Sequence, residues 1–179
     1  IRSYIDLSKM ELDGLTTFKK RVPFASQVLA EALKAPGIRD NPKKMPIVTD
    51  LEGDPVLDGD PDLLKILVGN LVNAVKYGAE GTPVRLRLSR TDGEVRFAVR
   101  NEGVGIPEED KGRLFKRFER LKQKGTEGVK GSGLGLYICK TIVDKHKGRI
   151  WVEGEPGKWV EFLVALPVAG GEAPAAPAA

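Results

Sequence analysis

One cysteine, Cys139, and one histidine, His146, are all that 179 residues offer of the side chains most used in metal and nucleophilic chemistry. A single cysteine excludes an internal disulfide. With a single histidine it also excludes a His/Cys zinc site, and the only Cys–His catalytic pair available is Cys139 with His146. No apolar run approaches the roughly 18 residues of a membrane span, and no secretory hydrophobic region is visible. The chain begins at Ile1 without a methionine, as expected of a piece of a longer protein. What remains is ordinary for a globular domain. Hydrophobic residues make up 41% and charged residues 30%, enough apolar surface for a core and too much for a wholly disordered chain. The length suits one domain with room for an appendage.

The net charge is +4, and its location is more informative than its size. Between Lys111 and Lys130 stand eight basic residues against two acidic ones, Glu119 and Glu127, so the segment carries +6 and the rest of the chain −2. A nucleic-acid binder more often spreads its basic charge over several elements, so no nucleic-acid partner is expected. One basic segment implies either a local anionic ligand or a solvated loop.

Arg2–Leu15 has short helical spacing with no opening cap, and Thr16–Arg21 reads as a strand. Pro23 opens a helix through Leu33, which Pro36-Gly37 ends. Pro46–Leu51 reads as a strand and Glu52–Gly59 as a turn region rich in Gly, Asp and Pro. Asp60-Pro61, a good N-cap followed by the residue favoured at the first helical position, starts a helix to Tyr77 that stops at Gly78. Val84–Leu88 and Val95–Val99 alternate in polarity around Thr91-Asp92-Gly93 and predict a hairpin with one buried face. A glycine-rich loop over Asn101–Pro107 precedes a short amphipathic helix with Leu114, Phe115 and Phe118. Gln123–Gly133 lacks periodicity, Leu134–Lys145 is helical, and Arg149–Glu153 with Trp159–Leu166 makes a closing hairpin. Val168–Ala179 is of low complexity and predicted disordered. Helices alternating with antiparallel hairpins predict an α+β, two-layer sandwich with a mixed, mostly antiparallel sheet and helices on one face.

Two glycine clusters stand out, Gly103-Val104-Gly105 and Gly131-Ser132-Gly133-Leu134-Gly135. Neither is a P-loop or a dinucleotide fingerprint. The first reads as a tight turn. The second opens a helix, where exposed N–H groups and a close approach to the backbone suit either a turn or an anion site. On a wheel of about 100° per residue, Asn70, Asn73, Lys76 and Tyr77 share one side of the Asp60–Tyr77 helix, opposite Leu64, Leu67, Val68, Leu71 and Val75. This stripe is either a solvent face or a site. Two Asn in a helix interior are poor helix formers. A carboxamide oxygen suits Mg²⁺, a lysine suits phosphate and an aromatic plane suits a base.

Four segments taken together resemble the sequence boxes of sensor histidine kinase catalytic domains. Asn73–Tyr77 (NAVKY) is similar to the asparagine box, Asn101–Pro107 (NEGVGIP) to the first glycine box, Leu114–Phe118 (LFKRF) to the phenylalanine box, and Gly131–Leu136 (GSGLGL) to the second glycine box. That family shares its ATPase superfamily with gyrase, heat-shock ATPase chaperones and mismatch-repair ATPases, and the resemblance covers about residues 16–167.

The resemblance implies a Bergerat-type ATP-binding fold with ATP and Mg²⁺ as its ligands. Asn73 would hold Mg²⁺, Lys76 would reach a phosphate, and Tyr77 would pack near the nucleotide. Asn70, one position off the family's second Asn, would substitute for it. Asn101 replaces the family's Asp and would accept a hydrogen bond from the adenine amino group. Gly103 and Gly105 would turn the chain beside the base, with Ile106 against it, and Val160 stands where a small hydroxyl residue is frequent. Phe115 and Phe118 would anchor the start of a lid over ATP. Lys130, Gly131, Ser132, Gly133, Leu134 and Gly135 would close that lid and present N–H groups to the phosphates. The basic segment would then steer the polyanion.

The implied activity is protein-histidine kinase, transferring the γ-phosphoryl group of ATP to a His on a dimerisation hairpin. Residues 1–15 would be the end of that hairpin, 16–167 the catalytic domain and 168–179 a tail. Expected partners are the chain's own dimerisation and phosphoacceptor domain, a response-regulator receiver domain and a second copy in a homodimer; the expected location is the cytoplasm. His146, at the end of the helix after the second glycine box, is read as structural, the acceptor lying on the hairpin. Cys139 is read as packing. A nucleotide-sensing pseudokinase and a serine kinase of the anti-sigma-factor type are the alternatives.

Overall fold

The computed structural model describes residues 16–39, 43–73, 78–119 and 133–170. The helix expected in Arg2–Leu15, the pair Lys76 and Tyr77, and the lid with Lys130, Gly131 and Ser132 lie outside the described residues.

Strand β1 (Lys20–Pro23) leads into helix α1, which opens as a π-helical stretch, Phe24–Leu29, and continues as an α-helix, Ala30–Leu33. Pro36 does end α1, but it also opens a further helical turn, α2 (Pro36–Arg39), because Ile38 finds a place in the core. Then come β2 (Ile47–Leu51), β3 (Val56–Gly59) and helix α3 (Pro61–Val72). Strands β4 (Val84–Thr91) and β5 (Glu94–Glu102) form the expected hairpin. Its turn residues Asp92 (φ 49°) and Gly93 (φ 79°) both take the left-handed conformation that matches strand twist. A single turn, α4 (Glu108–Lys111), precedes α5 (Gly135–Lys145), β6 (Arg149–Glu155) and β7 (Trp159–Pro167).

The main sheet has the order β2-β4-β5-β7-β6. The β2–β4 pair is parallel and the other pairs are antiparallel, so the sheet is mixed and mostly antiparallel as expected. Leu64, Leu67, Val68 and Leu71 of α3 and Ile138, Ile142 and Val143 of α5 are buried with the sheet residues Leu86, Leu88, Phe97, Val99, Val164 and Leu166 in one core. Phe24 of α1 packs on Phe97 at 5.5 Å between ring centroids. The apolar stripe of α3 therefore has the role its periodicity predicts.

Three local expectations need correction. Glu52–Gly59 is not all turn: Val56–Gly59 is a strand that pairs antiparallel with β1 and places Leu57 opposite Val22, both buried. The helix expected to carry Leu114, Phe115 and Phe118 ends at Lys111, with Gly112 as its C-cap. Val168, expected to begin a disordered tail, bridges Leu57, and the next residue donates its N–H to the Val56 carbonyl (3.0 Å).

Candidate functional site

Helix α3 is fixed at its start by Asp60, whose Oδ1 accepts the N–H groups of Asp62 (3.0 Å) and Leu63 (3.2 Å). This cap and Pro61 hold the helix so that Asn70 and Asn73 fall at its far end, where Asn73 is the half-buried C-cap residue. Asn70 reaches the start of α5, donating through Nδ2 to the carbonyl of Gly135 (3.3 Å). The asparagine helix and the second glycine cluster, 65 residues apart in sequence at this contact, thus meet in space. Gly133 has φ 72°, the left-handed conformation that glycine adopts without strain, and Leu134 beside it is buried and heads the helix.

Asn101 lies near the end of β5, 1% exposed and opposite Val160 of β7. Its Nδ2 donates to the carbonyl of Glu102 (3.2 Å), which fixes the orientation of the amide. Its Oδ1 is buried with no hydrogen-bond partner among the described residues. An unpartnered buried acceptor costs about 1–3 kcal/mol, and that cost is removed by a ligand that donates there. The 6-amino group of a purine is such a donor, so Asn101 fits the base that its position implies.

The first glycine loop is pinned on both sides. Gly103 bridges Gly78, and the N–H of Ala79 donates to the Glu102 carbonyl (2.8 Å), so the chain at Gly78 and Ala79 is tied to the first glycine loop. Gly105 (φ 62°) lies so close to the β6–β7 turn that a Cβ would stand 2.4 Å from the Glu155 carbonyl oxygen. Ile106 is buried behind it. Two contributors were not foreseen. Nζ of Lys43 donates to the Gly78 carbonyl (2.8 Å), and Met45 fills the space a Cβ at Gly78 would need, its Cε 2.1 Å from that point. Gly78 was legible only as a helix stop; that glycine is also required by Met45 has no local signature.

The expected lid anchors separate. Phe115 is half-buried against the core, whereas Phe118 is 63% exposed with φ 61° and lies under the guanidinium of Arg117 (5.0 Å). Phe118 is therefore not packed as an anchor, because the chain has left the helical path that would have turned it inward. Part of the basic segment is neutralised locally: Arg113 pairs with Glu119 (2.7 Å) and Asp110 (3.4 Å), and Lys111 with Glu108 (2.5 Å). Lys116 and Arg117 are exposed.

His146 and Cys139 are buried, as a structural reading of both requires. Burial lowers the His146 pKa from its ordinary 6.5, and burial pushes the Cys139 thiol well above its usual range. Neither is poised as a nucleophile. Among the described residues no group of three His, Cys, Asp or Glu side chains could hold a metal ion. A divalent cation here would rest on an amide oxygen such as that of Asn73 and on oxygens of its own ligand, which suits Mg²⁺.

The family described as histidine kinase-, DNA gyrase B- and HSP90-like ATPase matches residues 59–170. The adaptive-response sensory kinase SasA of Synechococcus elongatus is 36% identical over 149 residues, 82% of this chain and 37% of that protein. The sensor-like histidine kinase SenX3 of Mycolicibacterium smegmatis is 31% identical over 141 residues, 78% of this chain and 37% of that protein. The chain thus spans little more than a third of the curated relatives it matches. Among solved structures, the mycobacterial sensor histidine kinase MprB superposes with a TM-score of 0.73 at 27% identity, covering 85% of this chain and 99% of that one.

Proposed function

We propose, for a chain that belongs to the histidine kinase-, DNA gyrase B- and HSP90-like ATPase family, that it is the ATP-binding catalytic domain of a two-component sensor histidine kinase. Membership in an ATPase family implies ATP binding. The sensory and histidine kinase names of the relatives support phosphoryl transfer to histidine over the serine-kinase and pseudokinase alternatives. The single observation that carries the reading is the buried Oδ1 of Asn101, unpartnered among the described residues, beside the Gly78–Gly103 bridge.

The residues divide the work by position. Asn101 receives the adenine amino group, with Ile106 and the turn at Gly105 shaping the wall beside the base. Asn73 would hold Mg²⁺, which when bound would supply neutralisation of phosphate charge. Asn70 keeps the asparagine helix against the glycine-box helix. By the family resemblance Lys76, Lys130 and the backbone at Gly131, Ser132, Gly133 and Gly135 would complete the phosphate cradle, with Tyr77 and Leu134 near the nucleotide. Phe115, packed on the core, would hold the start of the lid, whereas Phe118 is exposed. Catalysis is chiefly positioning and charge stabilisation, since phosphoryl transfer asks little covalent chemistry of the protein.

The acceptor is a histidine on a dimerisation hairpin that residues 1–15 would join to a catalytic domain over 16–167, with 168–179 as a tail. The remaining partners are a receiver domain and a second copy of the chain, and the site works in the cytoplasm. No described helix is long and apolar enough to cross a membrane.

The test is transfer itself. The longer protein, carrying residues upstream of Ile1, is incubated with ATP labelled in the γ-phosphate. Acid-labile, base-stable label on the upstream segment is expected. Tight ATP binding without such label would contradict the kinase reading and leave a nucleotide-binding module.

A further inference from the structure

Three hydrogen bonds among the described residues join α3 and α5, and they share one register. Asn70 Nδ2 donates to the Gly135 carbonyl (3.3 Å), Cys139 Sγ to the Leu67 carbonyl (3.8 Å), and the main-chain N–H of Asp60 to Nε2 of His146 (3.0 Å). Position 70 faces 135, 67 faces 139 and 60 faces 146. The helices therefore run antiparallel and are fastened at both ends.

The far fastening is built around one tautomer. Nε2 of His146 accepts from Asp60, so the ring proton is on Nδ1, where it donates to the Ile142 carbonyl (2.7 Å) in the last turn of α5. Both ring nitrogens are used and the residue is 3% exposed. The imidazole can come this close only because residue 59 is glycine: a Cβ there would meet Leu57 at 2.7 Å, Leu64 at 2.8 Å and His146 Cδ2 at 3.0 Å. Asp60 carries the connection further. Oδ1 caps α3, and Oδ2 accepts the N–H of Phe18 (2.9 Å), just before β1. One histidine and one aspartate thus join the end of the glycine-box helix, the start of the asparagine-box helix and the chain that enters the domain.

We propose that His146 and Asp60 are positioning residues of the nucleotide site, setting how far the glycine-box helix lies along the asparagine-box helix and tying the entry chain at Phe18 to that register. The inference rests on the nucleotide reading given above. An α-helix is stiff and rises about 1.5 Å per residue, so an axial slip where α5 ends reappears where it begins, among the N–H groups meant for phosphate. A displacement of about 1 Å is enough to spoil such a geometry. Burial alone would ask only for a side chain of the right volume; this joint also asks for an acceptor at Nε2.

The test titrates Mg–ADP into the wild-type chain and into His146→Leu and His146→Gln, at a temperature where thermal unfolding shows each to be folded. Leucine keeps bulk and removes the acceptor; the glutamine amide oxygen restores one near the place of Nε2. Weakening by about five-fold or more in His146→Leu, with recovery in His146→Gln, is the expected result. A folded His146→Leu that binds as the wild type does overturns the inference. If the leucine variant does not fold, amide exchange of the wild type decides. Slower exchange at Asp60 and Phe18 on adding Mg–ADP supports the tie, and no change at either overturns it. A wild-type chain that binds no nucleotide would overturn the nucleotide reading itself, and this inference with it.

Discussion

At the scale of single residues, Asn101 and His146 show how the same fact, burial, has opposite meanings. Asn101 is buried with an acceptor left over, and His146 is buried with none. Asn101→Ala should weaken ADP binding by about 0.5–1.5 kcal/mol, the net worth of a hydrogen bond, and Asn101→Asp should be tolerated; calorimetric titration of the three forms reads this. Equal binding by all three would remove Asn101 from the site. His146 predicts a pH dependence of stability. Its pKa is lowered by burial and further by Lys19, while the Ile142 carbonyl and Asp60 oppose the shift. The folded state therefore refuses a proton that the unfolded state accepts. Stability is at its full value above about 6.5, the unfolded value, and declines as pH falls from there through the lowered folded value. Denaturant titrations of wild type and His146→Leu should show this acid-side slope only in the wild type. A buried imidazole with both nitrogens engaged also predicts that the isolated chain stays unlabelled when incubated with γ-labelled ATP. Acid-labile label lost in His146→Gln would contradict that.

At the scale of elements, the sequence was most legible where a local rule acts alone. Asp60-Pro61 announced the start of α3, and the Oδ1 bonds to Asp62 and Leu63 are that rule in atomic form. The β4–β5 hairpin was legible through Asp92-Gly93 in the same way. Strand β3 was hidden because Gly53, Asp54, Pro55 and Asp58 make its surroundings read as turn. Its hydrogen-bond partners are remote in sequence: β1, more than thirty residues earlier, and the chain at Val168 and Ala169, more than a hundred residues later. Phe118 misled because the apolar spacing continued past Gly112, where the helix stops. The first glycine loop carries a sharp prediction of its own. In Gly105→Ala the residue would hold a left-handed backbone and press on the Glu155 carbonyl, so stability should fall by about 1–3 kcal/mol as read by denaturant unfolding. No change would mean that the turn at β6–β7 yields freely.

At the scale of the whole molecule, the sheet is clasped on the face away from the helices. Glu94 of β5, 6% exposed, accepts both guanidinium nitrogens of Arg149 on β6 (2.7 and 3.0 Å) and Nε of Arg96 (3.1 Å). The reach spans β7 and passes over Ala165, which is fully buried. Glu94→Ala should destabilise the domain by about 1.5–3 kcal/mol without changing nucleotide affinity, since the clasp and the site lie on opposite faces. None of this was legible beforehand, because a contact across three strands has no sequence period. The candidate site was legible for a different reason. Asn73, Asn101, Gly105 and Gly135 sit in recognisable boxes and Asn70 lies three residues before the first of them, where it meets Gly135, whereas Lys43, Met45 and the Asp60–His146 joint belong to no box and act through distance in space.

The central claim is that Asn73 presents its side-chain oxygen to a magnesium-bound nucleotide on the helix that Asp60 begins. Calorimetric titration of ADP into the wild-type chain and into Asn73→Ala, each with and without Mg²⁺, tests it most directly. The wild type should bind ADP more tightly with Mg²⁺ than without it. Asn73→Ala should keep the metal-free affinity contributed by the base contacts and lose the gain from Mg²⁺. An unchanged Mg²⁺ dependence in Asn73→Ala would contradict the account.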